Sequence, residues 1–189
     1  MNRYERRLPH WDLVGHPLFV TFSLQGALPK NRVFPPARVT SGKAFVAMDR
    51  LLDGVQSGPL WLKQPEIVRM VVRAIRDGES RFQRSELHSF VVMANHVHLQ
   101  VTPAVNAREW LGPLKGFTGH EALRMLGLEH GPFSQDESHD HVVRDREEFA
   151  RIQRYIEDNS VKAGLVMTPE EFPWTSAAPA ERPAAARKG

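Results

Sequence analysis

Residues 90–101 read FVVMANHVHLQV, and no other stretch limits the possible folds as sharply. Side chains of a strand alternate between its faces, so His96, His98, Gln100 and Thr102 fall on one side. Val97, Leu99 and Val101 fall on the other, which describes a half-buried strand whose histidines look away from the aliphatic core. A second apolar run at 86–93 precedes it, so the two form a tight hairpin through Ala94 and Asn95, with Asn95 suited to a left-handed turn. Two imidazoles two residues apart on one face can share a metal ion. They can equally be two polar rings on a surface strand, and the spacing alone leaves both readings open.

Further along, ARIQRYIEDNSVKAGLV reads as a helix running into a turn. Phe149, Ile152 and Ile156 recur at spacings of three and four and mark its buried stripe. Tyr155 stands at the edge of that stripe, and Asn159 follows one turn later on the same face. The chain has two tyrosines, and Tyr4 lies in a charged N-terminal arm. Taken by itself, a helix tyrosine beside an apolar stripe is a partly buried packing residue with its hydroxyl in water.

The remaining punctuation gives the architecture. Residues 18–24 alternate as a first strand, and 43–54 and 65–78 read as helices, the second opened by Pro65 where a missing N–H costs nothing. A helical region over 107–127 is interrupted by Gly112, Pro113, Gly116 and Gly119, with Thr118 and Glu121 spaced as a capping box. Residues 128–145 read as loop, 146–159 as the tyrosine helix, and 177–189 as a disordered tail after a single domain over 1–176. The order lacks a regular βαβ rhythm, so an α+β fold is expected: an antiparallel sheet with helices on one face, leaving the histidines open beneath the tyrosine helix. His139, Asp140 and His141 form a second HxH that can be read as a hydrolytic metal site. No strand periodicity holds it, and a solvated loop is the simpler reading.

In order along the chain, NHVH at 95–98, YIEDN at 155–159 and VKAGLV at 161–166 resemble the single-tyrosine HUH transposases, specifically their REP-associated branch. RRLPHWD, FVTFSLQGALP, LKGFTG, FSQDESHDHVVRD and FPWTS extend the resemblance over residues 6–176. It implies the ferredoxin-like, RRM-like HUH nuclease fold. It implies Tyr155 as nucleophile, a divalent ion (Mg²⁺ or Mn²⁺) on His96, His98 and Asn159, and single-stranded or hairpin DNA as partner. Arg6, Arg7, Asn95, Lys115 and Arg144 become DNA contacts, while Glu137 and Asp140 become groups that position the site or the DNA. Trp11 or Phe117 can stack on an unpaired base, although each reads first as a core aromatic. The chain departs from the pattern at Ala94, Ser160, Ser134 and His139, and none of these removes a reacting group.

The chemistry is coherent on those residues. A phenol with pKa near 10 is about one part in a thousand ionised at pH 7, so its attack needs help from charge neutralisation on the phosphate. Two imidazoles and an amide form a neutral ligand set that leaves the ion its full charge, and imidazole favours Mn²⁺ over Mg²⁺. The expected activity is cleavage and rejoining of DNA through a covalent 5′-phosphotyrosine, which conserves the phosphodiester bond energy. The alternatives are a domesticated DNA-binding protein without cleavage and a phosphodiesterase using metal-activated water.

Composition is compatible with all three. With 189 residues one domain buries about 70% of its unfolded surface. The absence of cysteine fits a reducing compartment, and no apolar run is long enough to cross a bilayer, so a cytoplasmic, nucleoid-associated monomer or homodimer without a membrane partner is expected. The net charge of +3 is a mild basic balance, and Arg69, Arg73 and Arg76 recur at helical spacing as one cationic face.

Overall fold

The computed structural model describes residues 2–5, 9–27, 58–136 and 138–179, the first two segments up to residue 12 as backbone only. The helix expected over 43–54, the end of the tail, and Arg6, Arg7 and Glu137 lie outside the described residues. A short antiparallel hairpin of β1 (Asn2–Glu5) and β2 (Pro9–Asp12) opens the chain. The body then follows as β3 (Leu18–Ser23), α1 (Pro65–Ser80), β4 (Ser85–Val92), β5 (His96–Pro103), α2 (Ala107–Met125) and β6 (His139–Val142). After β6 come α3 (Arg146–Glu157) and the single turn α4 (Asn159–Lys162).

The sheet order is β4-β5-β3-β6 with every neighbour antiparallel. A β-α-β-β-α-β order with this arrangement is the ferredoxin-like split βαβ, the architecture expected from the sequence. In α1, Ile67, Val68, Val71, Val72 and Ile75 are buried at helical spacing. They meet Leu18, Val20 and Phe22 of β3 and Val97, Leu99 and Val101 of β5 in the main core. Each such aliphatic removed from water is worth about 1.5–3 kcal/mol, enough to fix which face of β5 points inward.

Four local expectations are corrected. First, helices lie on both faces: α1 and α2 cover one, and Ile152 and Ile156 of α3 pack on the other against Phe19, Val91, Met93 and Val143. The histidine face is therefore covered, because its polar positions are interleaved with apolar ones that the stripe of α3 can bury. Second, α2 runs unbroken through Pro113 and is capped by Asn106, whose side chain accepts from the Glu109 N–H. Thr118 is an interior residue whose hydroxyl bonds back to the Leu114 carbonyl; tertiary burial of Trp110, Leu111 and Ala122 overrides the local breakers.

Third, residues 139–142 are a strand, because β3 offers an open edge with which so short a segment can pair. Fourth, the hairpin turn needs no left-handed asparagine. Met93 N–H bonds to the His96 carbonyl at 2.9 Å, and Gln83 is the non-glycine residue with positive φ among the described residues. The other edge, β4, is shielded by the C-terminal segment, where Val92 N–H bonds to Trp174 O and Ser176 N–H to Phe90 O. Of the cationic face of α1, Arg69 and Arg76 lie over the rings of Trp174 and Phe90.

Candidate active site

Register assembles the site. His98 of β5 pairs with Thr21 of β3, which pairs in turn with His139 of β6, so the three side chains form one row across the sheet. The next row holds Gln100, Phe19 and His141. His96 and His98 share a face, as period two requires, with ring centroids 4.6 Å apart. They are 1% and 0% exposed.

Each ring is oriented through Nδ1. His96 Nδ1 lies 2.7 Å from Asn95 Oδ1, an acceptor, so this nitrogen carries the proton and Nε2 carries the lone pair. His98 Nδ1 lies 2.7 Å from Thr21 Oγ1, which can accept in the same sense. The Nε2 atoms of both rings and Oδ1 of Asn159 are inaccessible to solvent. These three neutral donors suit a divalent ion, with the Nδ1 partners fixing tautomer and ring plane as supporting groups do around metal-bound histidines. Among the described residues no group of three His, Cys, Asp or Glu could hold a metal, so a site here depends on an amide for its third ligand.

Tyr155 reaches the same place from α3. Its ring is 6.2 Å from that of His98 at 61° and 6.2 Å from that of Phe19 at 73°. Lys162 Nζ stands 4.4 Å from its centroid. Tyr155 is half-buried, so it combines a fixed backbone with access to solvent. Gln100, fully buried on the histidine face, ties the helix to the strand: Nε2 donates to the Phe149 carbonyl at 3.1 Å, and Oε1 accepts from Ser89 Oγ at 3.0 Å.

A group that the sequence reading missed holds the start of α3. Glu148 accepts from the backbone N–H, Nε and a terminal nitrogen of Arg144 at 2.8–3.0 Å, and lies 3.2 Å from His141 Nε2. Arg144, reinforced by His141, holds the carboxyl at about 2 against the opposing effect of burial. Asp145 caps the helix by accepting from the Glu148 N–H at 2.7 Å. The spacing of Asp145 and Glu148 is that of an N-terminal capping pattern, so a signal was present in DREEF.

The structure brings the ring of Tyr155 to 6.2 Å from that of His98, and it buries Asn159 one turn beyond. Other expected residues sit differently. Asn95, expected to contact DNA, is buried and bonded to His96. The Lys115 ammonium donates to the backbone carbonyls of Gln135 and Asp136, tying down the segment before β6. Arg144 has a side chain 72% exposed although it grips Glu148. Asp140 pairs with Val20, on the sheet face away from the histidines, so alternation separates it from His139 and His141 and the three side chains cannot converge on one ion. Phe117 is exposed on α2.

The chain is thus an α+β fold whose four-stranded antiparallel sheet carries an HxH strand beneath a tyrosine helix. Among solved structures the chain is similar to that of a REP-associated tyrosine transposase bound to a REP hairpin, with a TM-score of 0.55 and 18% identity. The match covers 93% of this chain and 82% of the other, and at that identity it establishes the fold. No family model and no curated protein matches the chain. Among the described residues no helix is long and apolar enough to cross a membrane.

Proposed function

We propose that this protein is a metal-dependent DNA nickase and strand transferase, of the REP-associated tyrosine transposase kind, acting on single-stranded or hairpin DNA. The observation that carries the reading is the meeting of Tyr155 with His98, 6.2 Å between rings, where two histidines present buried Nε2 atoms. Tyr155 is the nucleophile, and His96, His98 and Asn159 hold Mn²⁺ or Mg²⁺. Bound there, the ion neutralises charge on the non-bridging phosphate oxygens. The phenol oxygen attacks phosphorus in line, a Tyr–O–P bond forms, the bond to the 3′ oxygen breaks, and the phenol proton ends on that oxygen through solvent. The products are a 5′-phosphotyrosine and a free 3′ hydroxyl, and the reverse reaction with another 3′ end rejoins the strand.

Burial divides the supporting roles. Asn95 and Thr21 orient the histidine rings, and Gln100 holds the tyrosine helix over them. Arg144, exposed beside the helix start, contacts phosphate, as do Arg6 and Arg7 of the N-terminal arm. Lys115 acts by ordering the segment before β6, where Glu137 lies.

Incubation with a hairpin oligonucleotide and Mn²⁺ should give a protein–DNA band that survives denaturation, and Tyr155→Phe should abolish it while hairpin binding persists. Binding without cleavage would identify a non-catalytic DNA-binding protein. Cleavage without the band, unchanged in Tyr155→Phe, would identify a phosphodiesterase using activated water.

A further inference from the structure

On the sheet face away from the histidines, α1, α2 and the strands leave a cavity of about 260 Å³. Leu87, Leu99 and Val101 form its floor, and Ile75, Trp110 and Leu114 its walls. An apolar cavity of ~150 Å³ already admits benzene, so this one accepts a larger hydrocarbon body. Its edge is built differently from its interior. Phe82 and Phe117, 50% and 54% exposed, border it together with Arg81 and Arg84.

The two guanidinium carbons lie 5.3 and 5.1 Å from the centroid of the same Phe82 ring. One aromatic thus contacts both cationic groups at the edge of the cavity. Among the described residues neither guanidinium forms a salt bridge. The turn that joins them contains Gln83 at φ 49°, and the Arg84 N–H bonds to the Gly78 carbonyl.

We propose that this cavity binds a small monoanion with an apolar body, an alkyl or aryl carboxylate, with its hydrocarbon on Leu99 and Val101 and its carboxylate on Arg81 and Arg84. The floor and walls are aliphatic apart from the indole of Trp110, whose buried N–H is a single donor, too little to satisfy the polar edges of a nucleobase or a sugar, so the interior suits hydrocarbon. Planar guanidiniums match a carboxylate in two-point geometry. Asp77 also borders the cavity, which leaves one net positive charge and favours a monoanion over a phosphate dianion. The occupant touches the back of β5, the strand that carries His96 and His98 on its front.

Octanoate is the probe, titrated by calorimetry and by methyl NMR of the full chain, with 1-octanol and inorganic phosphate as partial mimics. One octanoate should bind and shift the methyl signals of Leu99 and Val101, more tightly than either mimic. Arg81→Gln with Arg84→Gln should weaken it about a hundredfold without changing the octanol affinity, the loss of two charge-assisted contacts. Ala74→Phe, which fills the cavity from α1, should abolish it. Octanol binding as tightly as octanoate, phosphate binding as tightly, or octanoate affinity surviving the paired arginine substitution would each overturn the proposal. If Ala74→Phe fails to fold, the arginine pair and the methyl shifts decide.

Discussion

Replacing Glu148 by glutamine tests the ionic cluster that fixes the tyrosine helix. The carboxyl is held at about 2, against an ordinary 4.5, chiefly by hydrogen bonds from Arg144. At 1.36 kcal/mol per pH unit, that depression is worth about 3 kcal/mol at pH 7. The Arg144 side chain is 72% exposed, so solvent screening brings the expected figure nearer 2 kcal/mol. The sign follows from linkage: a carboxylate with a depressed folded pKa stabilises fully above its unfolded pKa, and loses that contribution as pH falls from about 4.5 toward 2. Urea denaturation of wild type and Glu148→Gln at pH 7, 5 and 3 measures it. The gap should be about 2 kcal/mol at pH 7 and 5 and less than half of that at pH 3, with unchanged m. A gap that stays constant down to pH 3 would refute the electrostatic account and leave only packing or capping as its source.

Two further outcomes follow from the same geometry. Thr21→Val removes the hydroxyl at His98 Nδ1 while keeping the shape of the strand, so Mn²⁺ affinity by calorimetry should fall about 10–100-fold with the thermal midpoint little changed; unchanged affinity would count against Thr21 as the orienting group. Ile156→Ala opens a hole between α3 and Phe19, Val91 and Met93, and should cost about 2–5 kcal/mol in denaturant unfolding. A loss below about 1 kcal/mol would mean that α3 packs more loosely on the histidine face than its burial indicates.

Where a residue pattern coincides with a physical period, the sequence alone determined the outcome. Alternation in HVHLQV put the two histidines on one face, and the three-and-four spacing of Phe149, Ile152 and Ile156 gave α3 its stripe. The strand and helix order, together with the family resemblance, pointed to the ferredoxin-like sheet that the chain adopts. Tertiary structure decided the rest, because each remaining feature depends on a partner far away in the chain. The four residues of β6 become a strand only because β3 offers an edge, and Pro113 stays inside a helix only because Trp110 and Leu111 are buried beneath it. Whether the histidine face stayed open depended on where Ile152 and Ile156 could be buried, and the nearest apolar surface was that same face. Local periodicity is written in neighbouring residues, whereas burial is settled by the whole chain at once.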